Sequence, residues 1–112
     1  SAASIVYKRQ ALAVRAGVDT TLLAPALANG FADSKPFQIL TPRMAKQVFE
    51  PVQWKVQTLA KDLNNAVLLA QRCNLHIPVA VQALSQLQAH QENGYAQQDL
   101  ATMIKHVDDV NH

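Results

Sequence analysis

The chain has 112 residues, room for one domain with a single core. Apolar residues at 49% exclude a disordered chain, and charged residues at 16% fall below the ~25% of an average domain. Eighteen Ala and twelve Gln make up the difference, both helix formers, and a net charge of +2 is too small to argue for a nucleic-acid or membrane partner.

A single cysteine, Cys73, excludes an internal disulfide framework and a Cys-based zinc site. The longest uninterrupted apolar run covers residues 66–70, too short to span a bilayer. Residues 1–16 do not read as a signal peptide, because Lys8 and Arg9 stand where its apolar stretch would be. A cytoplasmic protein is the expectation. The chain opens without Met, inside what reads as a helix, so a piece of something longer is expected.

Residues 1–16 read as a helix stopped at Gly17, a good left-handed terminator. Asp19 is placed to cap a short helix ending at Asn29-Gly30. Ser34 is placed to cap a second, with Pro36 in its first turn. Thr41-Pro42 reads as cap plus first residue of another, running to about Val48. Residues 52–73 form the longest predicted helix, with Val52, Val56, Leu59, Leu63, Ala66, Val67 and Ala70 as its buried stripe and Asn74 as its cap. Pro78 starts a helix with Val79, Ala83, Leu84 and Leu87 as its apolar face, stopped at Asn93-Gly94. Asp99 is placed to cap a last helix with Leu100, Met103, Ile104, Val107 and Val110 on one side. The fold class is all-α, a single multi-helix domain of five to seven helices.

Few residues are arranged for chemistry. His76, His90, His106 and His112 show no metal-ligand spacing, and His106 with Asp109 reads as a solvated surface pair. No Gly-rich phosphate loop is present. Ser34, Ser85 and Cys73 lack a nucleophile signature, and Cys73, at the end of an apolar stripe, reads as inert packing. Lys8, Arg9 and Arg15 make the first helix basic, but without interleaved aromatics a nucleic-acid role is not expected. The long helix carries a second face: Trp54, Thr58, Lys61, Asn65 and Leu68. It is either a solvated face or a wall that covers a ligand or partner.

In order along the second half stand Phe49, Lys61-Asp62-Leu63, Ala66, Ala70, Pro78, Asn93-Gly94, Asp99 and Ile104; upstream stand Ala16-Gly17-Val18-Asp19, Ser34 and Pro42-Arg43-Met44. This ordered set resembles the C-terminal helical domain of the β-hydroxyacid dehydrogenases, the 3-hydroxyisobutyrate dehydrogenase and tartronate semialdehyde reductase group. That domain resembles the C-terminal domain of 6-phosphogluconate dehydrogenase in architecture. Lys8-Arg9 departs from the family, which has a Glu-Ala pair there.

The resemblance implies an enzyme that moves a hydride between NAD or NADP and a small β-hydroxyacid. It implies that the dinucleotide-binding domain and the catalytic lysine lie upstream of Ser1, so no catalytic residue is expected in this chain, which would be inactive alone. It implies cofactor-binding roles for Lys61 and Phe49, with the domain closing the cleft and building a homodimer. No metal is implied. The alternative is a free-standing helical interaction module that uses the Trp54–Lys61 face.

Overall fold

The computed structural model describes residues 2–110, with side chains described for residues 6–108. Six α-helices run along these residues: α1 Ala2–Arg15, α2 Leu23–Leu27, α3 Lys35–Lys46, α4 Val56–Arg72, α5 Pro78–His90 and α6 Met103–Val110. Single 3₁₀ turns precede α2 and α6, at Thr20–Leu22 and Leu100–Thr102, and a π turn, Gln91–Tyr95, follows α5. Among the described residues there is no strand beyond an isolated antiparallel bridge between Lys55 and Asp99. The fold is all-α, as expected.

Helix ends follow local chemistry. Gly17, at φ +77°, terminates α1, with Val18 N–H donating to Ala13 O (2.9 Å) and Gly17 N–H to Val14 O (3.1 Å). The same motif ends α4 with Asn74 left-handed, where Leu75 N–H donates to Ala70 O (2.8 Å). Asp19 caps the 3₁₀ turn before α2 by accepting from Thr21 N–H (3.0 Å). Ser34 caps α3 by accepting from Phe37 N–H (3.1 Å).

The chain divides into two compact units, one formed by residues 51–100 and the other by residues 2–50 with the segment from residue 101 on. In the second unit α1 packs on α3 and α6. Its core holds Val6, Tyr7, Gln10 and Ala13 of α1, Phe37, Leu40, Thr41 and Met44 of α3, and Met103 and His106 of α6. Burial also raises the Tyr7 phenol pKa above its ordinary value. Arg9 ties the loop before α3 to α1. Its guanidinium lies over the Phe37 ring, 4.7 Å from the centroid, and its Nη1 donates to Ala32 O at 2.8 Å. The departure at Lys8-Arg9 therefore places a structural cation at residue 9.

In the first unit α4 packs on α5. Val56, Ala60, Val67 and Ala70 of α4 are buried, as are Ala83, Leu84, Leu87 and His90 of α5. At the start of the π turn the His90 ring stacks flat on Tyr95, centroids 4.1 Å apart and planes within 6°.

Several expectations fail for physical reasons. Thr41-Pro42 opens no helix: α3 runs through it, because Phe37, Leu40, Thr41 and Met44 bury together on one face. That burial outweighs the hydrogen bond Pro42 cannot donate to Gln38 O. α4 starts at Val56, leaving Val52 exposed and ahead of it. Ala60 replaces Ala66 in the buried stripe, since at 100° per residue Ala66 lies about 80° from the stripe's centre. Leu59 and Leu63 are only half-buried. Val79 is 71% exposed in the first turn of α5. Cys73 is exposed rather than packed, standing in the turn after α4. His106 is buried, not solvated, because α6 turns it inward one turn after Met103. Ile104 and Val107 are half-buried. Ser1, His112 and the side chains of Asp109 and Val110 lie outside the described residues.

Candidate functional site

The N-terminus of α4 is set by residues far from it in sequence. Asp99, fully buried, accepts through Oδ1 from Gln53 N–H (2.8 Å) and Trp54 N–H (3.3 Å). Leu100 N–H donates to Trp54 O at 2.8 Å. Val56 N–H donates to Gln98 O and Gln57 N–H to Ala96 O, both at 3.0 Å. Thr58 and Leu59 N–H both turn to Lys55 O. All four leading amides of α4 are thus taken by protein carbonyls, and this helix end offers no cradle for a phosphate.

Side chains extend the same bracing. Lys55 Nζ donates to Gln97 Oε1 (2.9 Å), and Gln97 Nε2 donates to Gln57 Oε1 (2.8 Å). The helix so anchored turns Val56, Ala60, Val67 and Ala70 inward and therefore Thr58, Lys61, Asn65 and Leu68 outward. All four outward residues are exposed. Trp54, 42% exposed, precedes the helix by two residues, so it stands on the anchoring segment instead of the helical face.

Among the described residues the Lys61 ammonium has no hydrogen bond or ion pair. Asp62, the next residue, is exposed as well. Lys61 is a cation held on a rigid 17-residue helix and directed to the outside, a fit for oxygens of an anionic ligand.

Phe49 belongs to the other unit, in the segment after α3. It is half-buried, and the Lys105 ammonium of α6 lies over its ring at 4.8 Å from the centroid. Sequence reasoning missed this pairing, because 56 positions separate the two residues. It also missed the role of Asp99, whose carboxylate anchors residues 53–54. Among the described residues no group of three or more His, Cys, Asp or Glu could hold a metal ion, and no helix is long and apolar enough to cross a membrane.

Residues 3–107 match the family described as NAD-binding of NADP-dependent 3-hydroxyisobutyrate dehydrogenase. The chain is 33% identical over 79 residues to an uncharacterized oxidoreductase, YfjR, of Bacillus subtilis, covering 70% of this chain and 28% of the relative. It is 30% identical over 93 residues to 2-hydroxy-3-oxopropionate reductase of Escherichia coli, covering 83% of this chain and 32% of the relative. It therefore spans about a third of the length of these curated relatives. The fold is similar to that of 3-hydroxyisobutyrate dehydrogenase (ygbJ) from Salmonella typhimurium. The TM-score is 0.86 at 21% identity, over 92% of this chain and 36% of that one.

Proposed function

This chain belongs to the 3-hydroxyisobutyrate dehydrogenase family, and from that we propose that it is the helical domain of an NAD(P)-dependent β-hydroxyacid dehydrogenase. The observation that carries the proposal is the family match across residues 3–107, joined to an exposed, unpaired Lys61 on the outer face of α4.

The nicotinamide, when bound, supplies the hydride acceptor or donor. The role of this chain is to wall the cleft. Lys61 hydrogen-bonds oxygens of the cofactor or of the anionic hydroxyacid, and its charge favours that anion. Phe49 contributes an apolar surface that keeps water from the reacting carbon. The Lys105 ammonium over Phe49 supports a fixed ring position. Asp62 has no assigned part in the chemistry. The general acid or base belongs to a part of the enzyme outside this chain, as does the phosphate cradle, in keeping with the closed N-terminus of α4.

The working enzyme is a cytoplasmic homodimer. Support comes from Leu69, Leu75 and Val79, each at least 60% exposed on the α4–α5 unit and better suited to a covered face than to water. Its substrate is a short β-hydroxyacid resembling 3-hydroxyisobutyrate.

The test is turnover by the full-length polypeptide. It should reduce NAD or NADP with a short β-hydroxyacid, or run the reverse reaction with the semialdehyde. The 112-residue chain alone should do neither, and calorimetric titration of it with either cofactor should show no heat. Cofactor binding by the isolated chain, or a full-length protein inert toward every short β-hydroxyacid, overturns the proposal.

A further inference from the structure

His90 closes α5 and leads into the π turn Gln91–Tyr95. Its ring is 0% exposed and lies flat on Tyr95, with centroids 4.1 Å apart. Gly94, left-handed at φ +101°, makes the turn between them. Both residues belong to the unit formed by residues 51–100. Tyr95 also begins the segment that holds the entry to α4. Tyr95 O accepts from Gln98 N–H (3.0 Å), while Ala96 O and Gln98 O accept from Gln57 N–H and Val56 N–H. Leu100 N–H donates to Trp54 O, so the chain after the stack grips residues 53–57.

The charges around His90 favour a neutral imidazole. α5 carries no Asp, Glu, Lys or Arg. α4 carries Lys61, Asp62 and Arg72, all exposed, and the π turn carries Glu92, also exposed. Lys55, exposed ahead of α4, donates to Gln97. Cys73 and His76, in the connection from α4 to α5, are exposed. Asp99 is buried, and its Oδ1 accepts from the Gln53 and Trp54 amides. A proton added to His90 places a cation where no water reaches. The face of Tyr95 returns only part of the lost hydration.

We propose that the His90–Tyr95 stack is an acid-sensitive latch on the start of α4. Uptake of a proton by the imidazole releases residues 91–100, and with them the amides of residues 53–57. The open form binds this proton and the closed form does not, so the closed form is lost as pH falls. With an ordinary imidazole pKa of about 6.5, opening becomes roughly 25-fold more favourable between about pH 7 and pH 5. The carboxylates of Asp62, Glu92 and Asp99 ordinarily titrate below that window. His76 is exposed in the closed form and so titrates alike in both.

The experiment is hydrogen exchange of the full-length protein, corrected for the intrinsic pH dependence of amide exchange. Protection in peptides covering residues 53–60 and 91–100 should fall roughly 25-fold between about pH 7 and pH 5. His90→Phe keeps a flat ring on Tyr95 without a titrating group, and its protection there should hold constant over the same range. If His90→Phe fails to fold, an NMR titration of the His90 ring in the parent decides. A pKa below the ordinary value of about 6.5 supports the latch, and one above it overturns the latch. Protection that stays level in the parent, rises as pH falls, or falls equally in His90→Phe also overturns it.

Discussion

The Asp99 carboxylate accepts a hydrogen bond from the Gln53 amide at 2.8 Å, across 46 positions of sequence. It takes a second from Trp54 N–H, so one buried side chain fixes the entry to the helix that carries Lys61. Asp99→Ala leaves two partly buried amides without their acceptor and should destabilise by about 2–4 kcal/mol. Asp99→Asn keeps an acceptor oxygen and should cost about half as much or less. Denaturant melts of both variants check the order; equal losses would mean that the carboxylate's volume, not its acceptor oxygen, matters.

Thr41 is 1% exposed, and its Oγ1 has no hydrogen-bond partner among the described residues. Valine has nearly the same shape and no hydroxyl to desolvate. Thr41→Val should therefore stabilise by about 1 kcal/mol, read as a raised midpoint with an unchanged denaturant slope. A lowered midpoint would show that the hydroxyl is satisfied in solution, by water or otherwise.

The Asp33 carboxylate sits below its ordinary pKa, chiefly because it accepts from Asn29 N–H (2.8 Å), and also from Gln38 Nε2 and Ser34 N–H. A depressed pKa in the folded state means that the unfolded chain takes up the proton first as pH falls. The stabilisation is whole above the ordinary carboxylate range and drains away as pH drops through that range toward the folded-state value. Asp33→Asn should flatten the acid limb of a stability–pH curve and leave its shape above neutral pH unchanged. Melts between about pH 2 and 7 measure this.

Where the fold was legible in the sequence, the cause was local. Gly17 and Ser34 act through their own backbone and nearest amides, so their neighbours suffice to read them. Thr41-Pro42 misleads because a local start signal competes with a buried face, and the face decides. The start of α4 was misplaced because it depends on Asp99, which no window around Val52 contains. The burial of His90 and His106 is not legible in the sequence, because apolar periodicity assigns the interior to hydrocarbon and passes over an imidazole. Lys61 was legible for the opposite reason: once a stripe is buried, a single helical wheel fixes what lies opposite.

The proposed role of Lys61 can be tested separately from folding. It lies outside the buried stripe, on an exposed face, and alanine is the better helix former, so Lys61→Ala should change stability by no more than about 0.5 kcal/mol. In the full-length enzyme the same change should lower kcat/KM by roughly 30- to 1,000-fold, the loss of a charge-assisted hydrogen bond of about 2–4 kcal/mol in a partly desolvated cleft. Leu87→Ala is the opposite control. Leu87 is buried on α5, and its truncation should cost about 2–5 kcal/mol of stability while leaving the turnover of folded enzyme near the parent value. Leu63, half-buried, should cost less than Leu87. Melts of the three variants beside steady-state kinetics give the comparison. An early melt for Lys61→Ala assigns the residue to structure, and an unchanged rate assigns it to solvent; either result removes it from the site.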